Sequence, residues 1–373
     1  FNMKRFVFLI LLSFLVYSCN ISESNKESNA IGGTPLMQIE TTENDYINLL
    51  ENKLTDFSVP CRLVYLNKVY NGKISASGSG SRYHDKWGYK VKLEYGETIR
   101  GLNEFNLSSQ IYDKTGLSIL IATQMYLKLG FPVNSSNYTY IKFNGIDKGL
   151  YPIVERVEEQ FFSDRNMPVN ELYKIGFETK FTFSSLYIPE YNIEKKIPDD
   201  NNFNSLKNMI NALDTADLTN SYLGLNKYLD VKNYIKYHAI TVILNNQDAF
   251  TNNFFLYKAK PNSPFTVIPW DFDKCFIGNV GIYGENEIIA KLKSFPLTKK
   301  LYLDTMKDIL TNIFTESEVF FIIEHYYMSI KDAYKNDPYL GKNGYIFEDE
   351  VNKLKQYIIQ RRNYLLNQIE LEY

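Results

Sequence analysis

The chain has 373 residues, of which 45% are hydrophobic and 23% charged, a composition typical of a globular protein with one large or two moderate domains. The chain has 41 Lys and Arg against 43 Asp and Glu. This balance argues against nucleic acid as a partner, because a surface that binds nucleic acid must be basic enough to neutralise phosphates. Its three histidines, His84, His238 and His325, are too scattered to predict a His-rich zinc site or a Ser-His-Asp triad.

The first residues have the pattern of an export signal. Met3, where we expect translation to begin, is followed by a Lys-Arg pair and an apolar run over residues 6–17. That run is too short to cross ~30 Å of hydrocarbon as a helix. It ends in Val-Tyr-Ser-Cys, which resembles a bacterial lipobox with Cys19 as the lipidated residue; ordinary cleavage near Ser18 is the alternative. We therefore expect a lipoprotein signal peptide over residues 3–19 and a lipid-anchored protein of the bacterial envelope, periplasmic or surface-exposed.

The next segment indicates a polar tether, which we place at residues 20–44. Its first part is rich in Ser, Asn, Glu and Gly and shows no hydrophobic periodicity. Two further cysteines, Cys61 and Cys275, lie far apart in the sequence. An exported chain could pair them, but we expect two unpaired structural cysteines.

The periodicity of the remaining chain predicts strands first and helices afterwards. In the first part it predicts a helix over 45–54, strands over 61–70 and 73–77 joined by a turn at Asn71-Gly72, a strand over 89–95, a helix over 115–129, and strands over 138–143 and 149–154 around Asn144-Gly145. In the second part it predicts helices over 158–162, 204–213, 231–245, 297–315, 316–335 and 348–369, and one hairpin over 254–258 and 265–269. This order indicates an α+β fold of two lobes, a β-rich one over 45–157 and a mainly helical one over 158–373.

Four polar residues around the predicted hairpin carry the chemistry. A long helix leads to Asp248, Asn253 follows five residues later, and the hairpin returns the chain to Asp271 and Asp273. Phosphoryl transfer from ATP needs one carboxylate to accept the proton of the attacking hydroxyl. It also needs an amide oxygen and a second carboxylate to hold Mg²⁺. Each residue alone could equally well cap a helix or form a turn, so the prediction rests on their joint order.

The same stretch resembles the CotH kinase family, atypical kinases similar to spore coat protein H. The resembling segments are Gly78-Ser79-Gly80-Ser81-Arg82, Tyr89-Lys90-Val91-Lys92-Leu93, the run from Asn144 to Glu155, Glu171-Leu172-Tyr173-Lys174, the run from Asp248 to Lys258, and Pro269-Trp270-Asp271-Phe272-Asp273. This resemblance implies a protein-kinase-like fold that binds ATP with Mg²⁺ or Mn²⁺ and phosphorylates Ser or Thr of proteins.

The resemblance also implies roles for particular residues. Asp248 would be the catalytic carboxylate, Asp271 the chief metal ligand and Asn253 the second, with Asp273 beside them. Lys92 would bind the phosphates, with Lys90 on the same strand face as the alternative; two solvated strand lysines are the plain structural reading.

Weaker candidates lie in the lobe expected to cover the nucleotide. Gly78 and Gly80 would let the loop backbone approach ATP, although the same letters suit a flexible turn. Arg82 could reach a phosphate or remain solvated, and Glu155 could serve the site or form a structural salt bridge. Ser118 stands where the family usually has an arginine, which makes this lobe the less typical part.

Three functions remain open on the sequence alone. The first is an extracytoplasmic protein Ser/Thr kinase using ATP and Mg²⁺ on an unknown protein acceptor. The second is a surface lipoprotein with weak or no catalysis that binds a protein or glycan. The third is a hydrolase that uses Asp271, Asp273 and Glu155 as acid and base; the ordered Asp-Asn-Asp set has no purpose in such an enzyme.

Overall fold

The computed structural model describes residues 29–176, 188–191, 193–217, 221–284 and 287–373. The predicted signal peptide with Cys19, and the tether up to residue 28, lie outside these ranges. Within them, strands dominate the first part of the chain and helices the second. The α+β class predicted from the sequence is confirmed.

An eight-stranded sheet forms the first part. Its strands are β1 (Ala30–Ile31), β2 (Thr34–Glu40), β3 (Ser58–Tyr65), β4 (Lys68–Ser77), β5 (Gly88–Leu93), β6 (Glu104–Leu107), β7 (Ser136–Phe143) and β8 (Ile146–Glu155). Their order is β1-β2-β3-β4-β5-β6-β8-β7, and a parallel pairing of β2 with β7 closes the sheet on itself. Alternate side chains of the strands, among them Met37, Tyr89 and Phe105, fill a core of their own.

The segment predicted as the end of the tether is folded. Residues 34–40 form β2, which lies between β3 and β7, and residue 43 already begins a helix. Leu36 belongs to the core of the helical part, whereas Met37 and Ile39 belong to that of the sheet. A strand buried on both faces lacks polar alternation, which explains why its short sequence resembled a continuation of the tether.

The first hairpin turns at a different place from the one predicted. Leu66 and Asn67, both with positive φ, form the two-residue turn between β3 and β4. Asn71 and Gly72 lie within β4 instead. A Cβ on Gly72 would stand 2.4 Å from the carbonyl oxygen of Lys92, so this glycine permits close approach of β5. The Asn144-Gly145 turn between β7 and β8 is confirmed.

The helices and a smaller sheet complete the fold. The helices are α1 (Glu43–Glu51), α2 (Ser118–Lys128), α3 (Glu159–Asp164), α4 (Asn204–Thr215), α5 (Ser221–Leu225), α6 (Val231–Ile243), α7 (Glu287–Lys293), α8 (Pro296–Asp308), α9 (Glu316–Asn336) and α10 (Phe347–Glu372). A π-helical turn, Ile309–Ile313, extends α8, where the sequence predicted one continuous helix. The strands β9 (Glu171–Ile175), β10 (Glu194–Ile197), β11 (Phe254–Lys258) and β12 (Thr266–Pro269) form an antiparallel sheet ordered β10-β9-β11-β12.

Helix α9 joins the two parts of the protein, because it packs against β2 and β8 as well as α2 and α10. Asp337, just beyond its end, is fully buried and accepts hydrogen bonds from Lys86 Nζ at 3.1 Å and Leu150 N at 2.6 Å. Tyr140 donates its hydroxyl to the carbonyl of Asn336 at 2.9 Å. The predicted boundary near residue 157 falls between β8 and α3, yet α9 returns from the helical part to the large sheet.

Candidate functional site

Helix α6 delivers Asp248 into a partly exposed loop. The side chain of Asp230 caps its start by accepting a hydrogen bond from Asn233 N, and nearly all its residues are buried. Beyond its end, fully buried Asn245 takes a positive φ of 54°, which turns the chain away from the helix. A short 3₁₀ turn, Gln247–Ala249, then presents Asp248 with its side chain 19% exposed.

Asp248 forms hydrogen bonds with two neighbours. Asn253 Nδ2 donates to its Oδ2 at 3.0 Å, and Lys274 Nζ donates to the same oxygen at 2.9 Å. The NH₂ group and the carbonyl oxygen of an amide point in different directions. Because the NH₂ group of Asn253 donates to Asp248, its Oδ1 points away from Asp248. That oxygen is the kind of neutral ligand that Mg²⁺ accepts. The structure therefore places the side chains of Asp248 and Asn253 next to each other in one loop.

The hairpin of β11 and β12 brings Asp271 and Asp273 to the same loop. Trp270 N donates to the carbonyl of Asn253 at 3.1 Å at the base of the hairpin, and Asn246 Nδ2 holds the carbonyl of Asp271 at 3.0 Å. Burial and the charge of Asp248 raise the pKa of Asp271. Burial and the charge of Asp271 raise the pKa of Asp273 well above its usual range. These carboxylates are therefore crowded where ionisation is costly.

The donor set fits a magnesium ion that is completed by other ligands. Asp271 offers a carboxylate and Asn253 an amide oxygen, both hard donors, and a divalent cation would relieve the repulsion among the three aspartates. Among the residues that the structure describes, no three His, Cys, Asp or Glu side chains are arranged to hold a metal by themselves. Mg²⁺ is commonly bound by one or two carboxylates together with water and substrate phosphates.

The two strand lysines lie beside Glu104 on β6. Lys90 Nζ is 2.8 Å from Glu104 Oε1, and Lys92 Nζ is 3.6 Å from Oε2. The side chain of Lys92 is 68% exposed and that of Lys90 only 38%. Arg156, directly after β8, also contacts Glu104, with Nε at 3.1 Å. Glu104 thus links both candidate lysines to the junction between the large sheet and the helical part.

Sequence reasoning missed several cations of this region. Lys174 on β9 is paired with Glu194 at 3.9 Å, and burial lowers its pKa while the charges of Glu194 and Asp271 oppose that change. The charge of Arg156 lowers the pKa of the same lysine further. Lys174 belongs to a segment that carried the family resemblance, and Lys274 directly follows Asp273, so both could have been singled out by position.

The candidates in the glycine-serine loop contact their own lobe. Arg82 donates to the carbonyl of Thr55 and to Asp56, both at 3.1 Å. Gly78 has a φ of 90°, and a Cβ there would stand 2.3 Å from Ser81 Oγ, so this turn requires glycine. Gly80 has open space around it and a helical backbone. Any phosphate contact by Arg82 would therefore have to compete with its present partners.

Glu155 forms the structural salt bridge that the sequence left as one of two alternatives. Its two carboxylate oxygens accept from Arg165 at 2.8 and 2.7 Å, and Oε2 also accepts from Ser135 N at 2.8 Å. The residue is 4% exposed. A bidentate pair of this kind fixes the end of β8 against α3.

The carboxy-terminal helix α10 braces the loops that carry the acidic residues. Arg361, 3% exposed, donates to the carbonyls of Val242 and Val280, each at 2.6 Å. The first carbonyl precedes the Asp248 loop, and the second follows the Asp271 segment. The buried guanidinium lies at the carboxy-terminal end of α6, where the helix dipole favours a cation. Asn245 reinforces this connection by accepting from Val280 N at 3.0 Å.

The cysteines and the helices settle two further points. Cys61 and Cys275 are buried and unpaired, as predicted, and burial raises the pKa of the Cys61 thiol to about 12. No helix in the described ranges has the length and apolar character needed to cross a membrane.

Comparison with known proteins adds independent findings. The family model described as CotH kinase protein matches residues 74–365. Inner spore coat protein H of Bacillus subtilis (strain 168) is 24% identical over 354 residues, covering 90% of this chain and 98% of that protein. Two similar solved structures are a HipA–HipB toxin–antitoxin complex with operator DNA from Shewanella oneidensis MR-1 (12% identity, 90% of this chain and 72% of that chain, TM-score 0.36) and the proinflammatory kinase CtkA of Helicobacter pylori (14% identity, 84% and 92%, TM-score 0.34).

Proposed function

The chain belongs to the CotH kinase family, and from this premise we propose that it transfers the terminal phosphoryl group of ATP to a Ser or Thr hydroxyl of a protein acceptor. One observation carries the proposal. Asp248 and Asn253 are hydrogen-bonded at 3.0 Å in the loop after α6, and the charge of Asp248 acts directly on Asp271 at the end of the adjoining hairpin. The carboxylate proposed for the acceptor is thus hydrogen-bonded to the proposed amide ligand, and it lies near enough to the proposed metal carboxylate for their charges to interact.

The residues divide the work as follows. Asp248 orients the acceptor hydroxyl and accepts its proton, a role that suits a partly exposed carboxylate at the edge of the cluster. Asp271 and Asn253 hold Mg²⁺ or Mn²⁺, with Asp273 as a further oxygen donor. Bound there, the metal supplies neutralisation of phosphate charge. Lys92, or its less exposed neighbour Lys90, contacts the phosphates from the large sheet.

Calorimetric titration tests the metal site. Wild type should bind ATP with Mg²⁺ and bind it weakly without the metal, and Asp271→Ala should lose the metal-dependent part. Glu370→Ala is a suitable control, since it removes an exposed carboxylate on α10 that is paired with Lys307. Phosphate transfer to a generic protein acceptor is measured beside it. Absence of nucleotide binding with any divalent metal would reject the proposed kinase activity.

A second candidate, a binding module for a protein or glycan, is favoured by the state of the nucleotide-covering loop. Arg82 is engaged by Thr55 and Asp56, and Lys92 is largely in solvent. Such a protein would keep the fold and bind its partner without turnover. It predicts no nucleotide binding, so the same titration separates the two candidates.

We also propose an extracytoplasmic location with a lipid anchor at Cys19. The apolar run and the lipobox-like ending of residues 3–19 support it, and the polar residues that follow would link the anchor to β1. Cys19→Ser should prevent lipidation, because serine lacks the thiol to which the lipid is attached. The variant should then lose its membrane anchor, since stable anchoring requires acyl chains. Equal recovery of parent and variant in the membrane fraction after signal cleavage would contradict the anchor.

A further inference from the structure

Lys274 is a cation placed among three carboxylates. Its Nζ donates to Asp248 Oδ2 at 2.9 Å, and its charge also lowers the pKa values of Asp271 and Asp273 against the rise caused by burial. The side chain is 34% exposed and lies over the ring of Tyr112, 5.1 Å from its centroid. Its ammonium therefore borders the acidic cluster on the side that solvent can reach.

The contact with Asp248 does not use all that this side chain offers. An ammonium carries three N–H donors in a compact charge, which suits phosphate oxygens as well as carboxylates. Asp248 Oδ2 already accepts a hydrogen bond from Asn253, so the carboxylate does not depend on Lys274 for a partner. Lys274 can consequently leave this oxygen without leaving it unpaired.

Loading of the site would change the charges around Lys274. A divalent metal at Asp271 would repel the ammonium and take over neutralisation of the acidic cluster, while the phosphates of ATP would bring negative oxygens. We propose that Lys274 is a catalytic residue whose ammonium contacts the terminal phosphoryl group of ATP, an inference that rests on the proposed function. Asp248 is then released to receive the acceptor hydroxyl.

For its bonds and its proton, the transfer step needs only ATP, the acceptor hydroxyl and the side chains named above. The acceptor oxygen forms a bond to the terminal phosphorus while the bond from that phosphorus to the bridging oxygen breaks, and ADP leaves with the electron pair. The hydroxyl proton passes to Asp248. Lys274 keeps its proton throughout and neutralises charge on the oxygens of the group in transfer.

A comparison of ATP with ADP tests this contact by binding alone. With Mg²⁺ present, Lys274→Met should weaken ATP binding about tenfold and leave ADP binding unchanged, since a charge-assisted hydrogen bond to the terminal phosphoryl is lost. Lys274→Arg should retain most of the difference between the two nucleotides. The control is Lys260→Met, an exposed lysine of the turn between β11 and β12.

Kinetics and stability complete the test. Lys274→Met should lower kcat about 10²-fold, the scale for one stabilising donor, while its melting temperature stays near that of wild type. Equal effects on ATP and ADP, or a lowered melting temperature without ATP selectivity, would reduce Lys274 to a structural salt bridge and overturn the inference. If Lys274→Met transferred phosphate at the same rate as wild type, the inference would be overturned and the proposed function would stand. Wild type that binds neither nucleotide would overturn it together with the proposed function.

Discussion

Replacing His238 by Gln should remove a loss of folding stability at acid pH that is caused by this buried histidine near the Asp248 loop. His238 lies on α6 with 0% exposure, and its Nε2 is 2.8 Å from the carbonyl of Tyr283. Its ring packs against Phe250, two residues after Asp248, at a centroid distance of 5.2 Å. Burial lowers the pKa of His238 from 6.5 to about 4. The imidazole is thus held neutral, with Nε2–H donating to the carbonyl.

The magnitude follows from the displaced pKa. A shift from 6.5 to about 4 corresponds to about 3 kcal/mol at ~1.4 kcal/mol per unit. The unfolded state binds the proton of His238 more tightly than the folded state does. The stability that comes with the neutral imidazole is therefore fully present above pH 6.5, and it is lost from the free energy of unfolding as the pH falls toward 4. Gln retains an amide donor near the position of Nε2 but does not titrate, so the variant should lack this loss.

Urea denaturation at several pH values from 7.5 to ~4 provides the assay. The difference in unfolding free energy between wild type and His238→Gln should change by about 3 kcal/mol across this range, in favour of the variant at low pH. His325→Gln, an exposed histidine on α9, serves as the matched control and should show no such change. Parallel pH profiles for wild type and His238→Gln would refute the assignment of a neutral, buried imidazole.

Three further predictions concern catalysis, strand packing and the connection between the two parts. Asp248→Ala should leave binding of ATP with Mg²⁺ nearly intact and lower kcat by about 10²–10⁴, measured by calorimetry and phosphate transfer; equal transfer by the variant would remove Asp248 from the mechanism. Gly72→Ala should lower the unfolding free energy by about 1–3 kcal/mol, because its Cβ would meet the Lys92 carbonyl at 2.4 Å, whereas Gly80→Ala, with open space, should not. Lys86→Met should lower the unfolding free energy, measured by urea denaturation, by about 3 kcal/mol, because buried Asp337 loses its cation. Unchanged stability would contradict a paired charge at Asp337, and substitution of the exposed Lys353 by Met is the control.

Local patterns in the sequence accounted for most helices and several strands. The hairpin at Asn144-Gly145 and the pair β11 and β12 were predictable because turn chemistry and alternation act over a few residues. The order of Asp248, Asn253 and Asp271 could be recognised for a related reason, since one loop and one hairpin suffice to bring them together. Their proposed roles remain to be tested by the substitutions above.

Asn71-Gly72 shows the limit of local patterns. The same two residue types that turn the chain at 144–145 continue a strand at 71–72, because the neighbouring β5 backbone occupies the space beside Gly72. Strand β2 was missed for a similar reason: it is stabilised by β3 on one side and by β7 on the other, and β7 lies a hundred residues away in sequence. Contacts between distant segments decided both cases.

The sequence by itself determined the fold class, the family resemblance and the acidic set, all of which depend on residue types at short spacing. Only the tertiary structure decided that Glu155 binds Arg165, that Arg361 braces two loops and that Lys274 lies against Asp248. A charged side chain chooses its partner by the geometry of segments that meet after folding. Because burial and distance set the strength of each charge pair, spacing along the chain could not assign these partners.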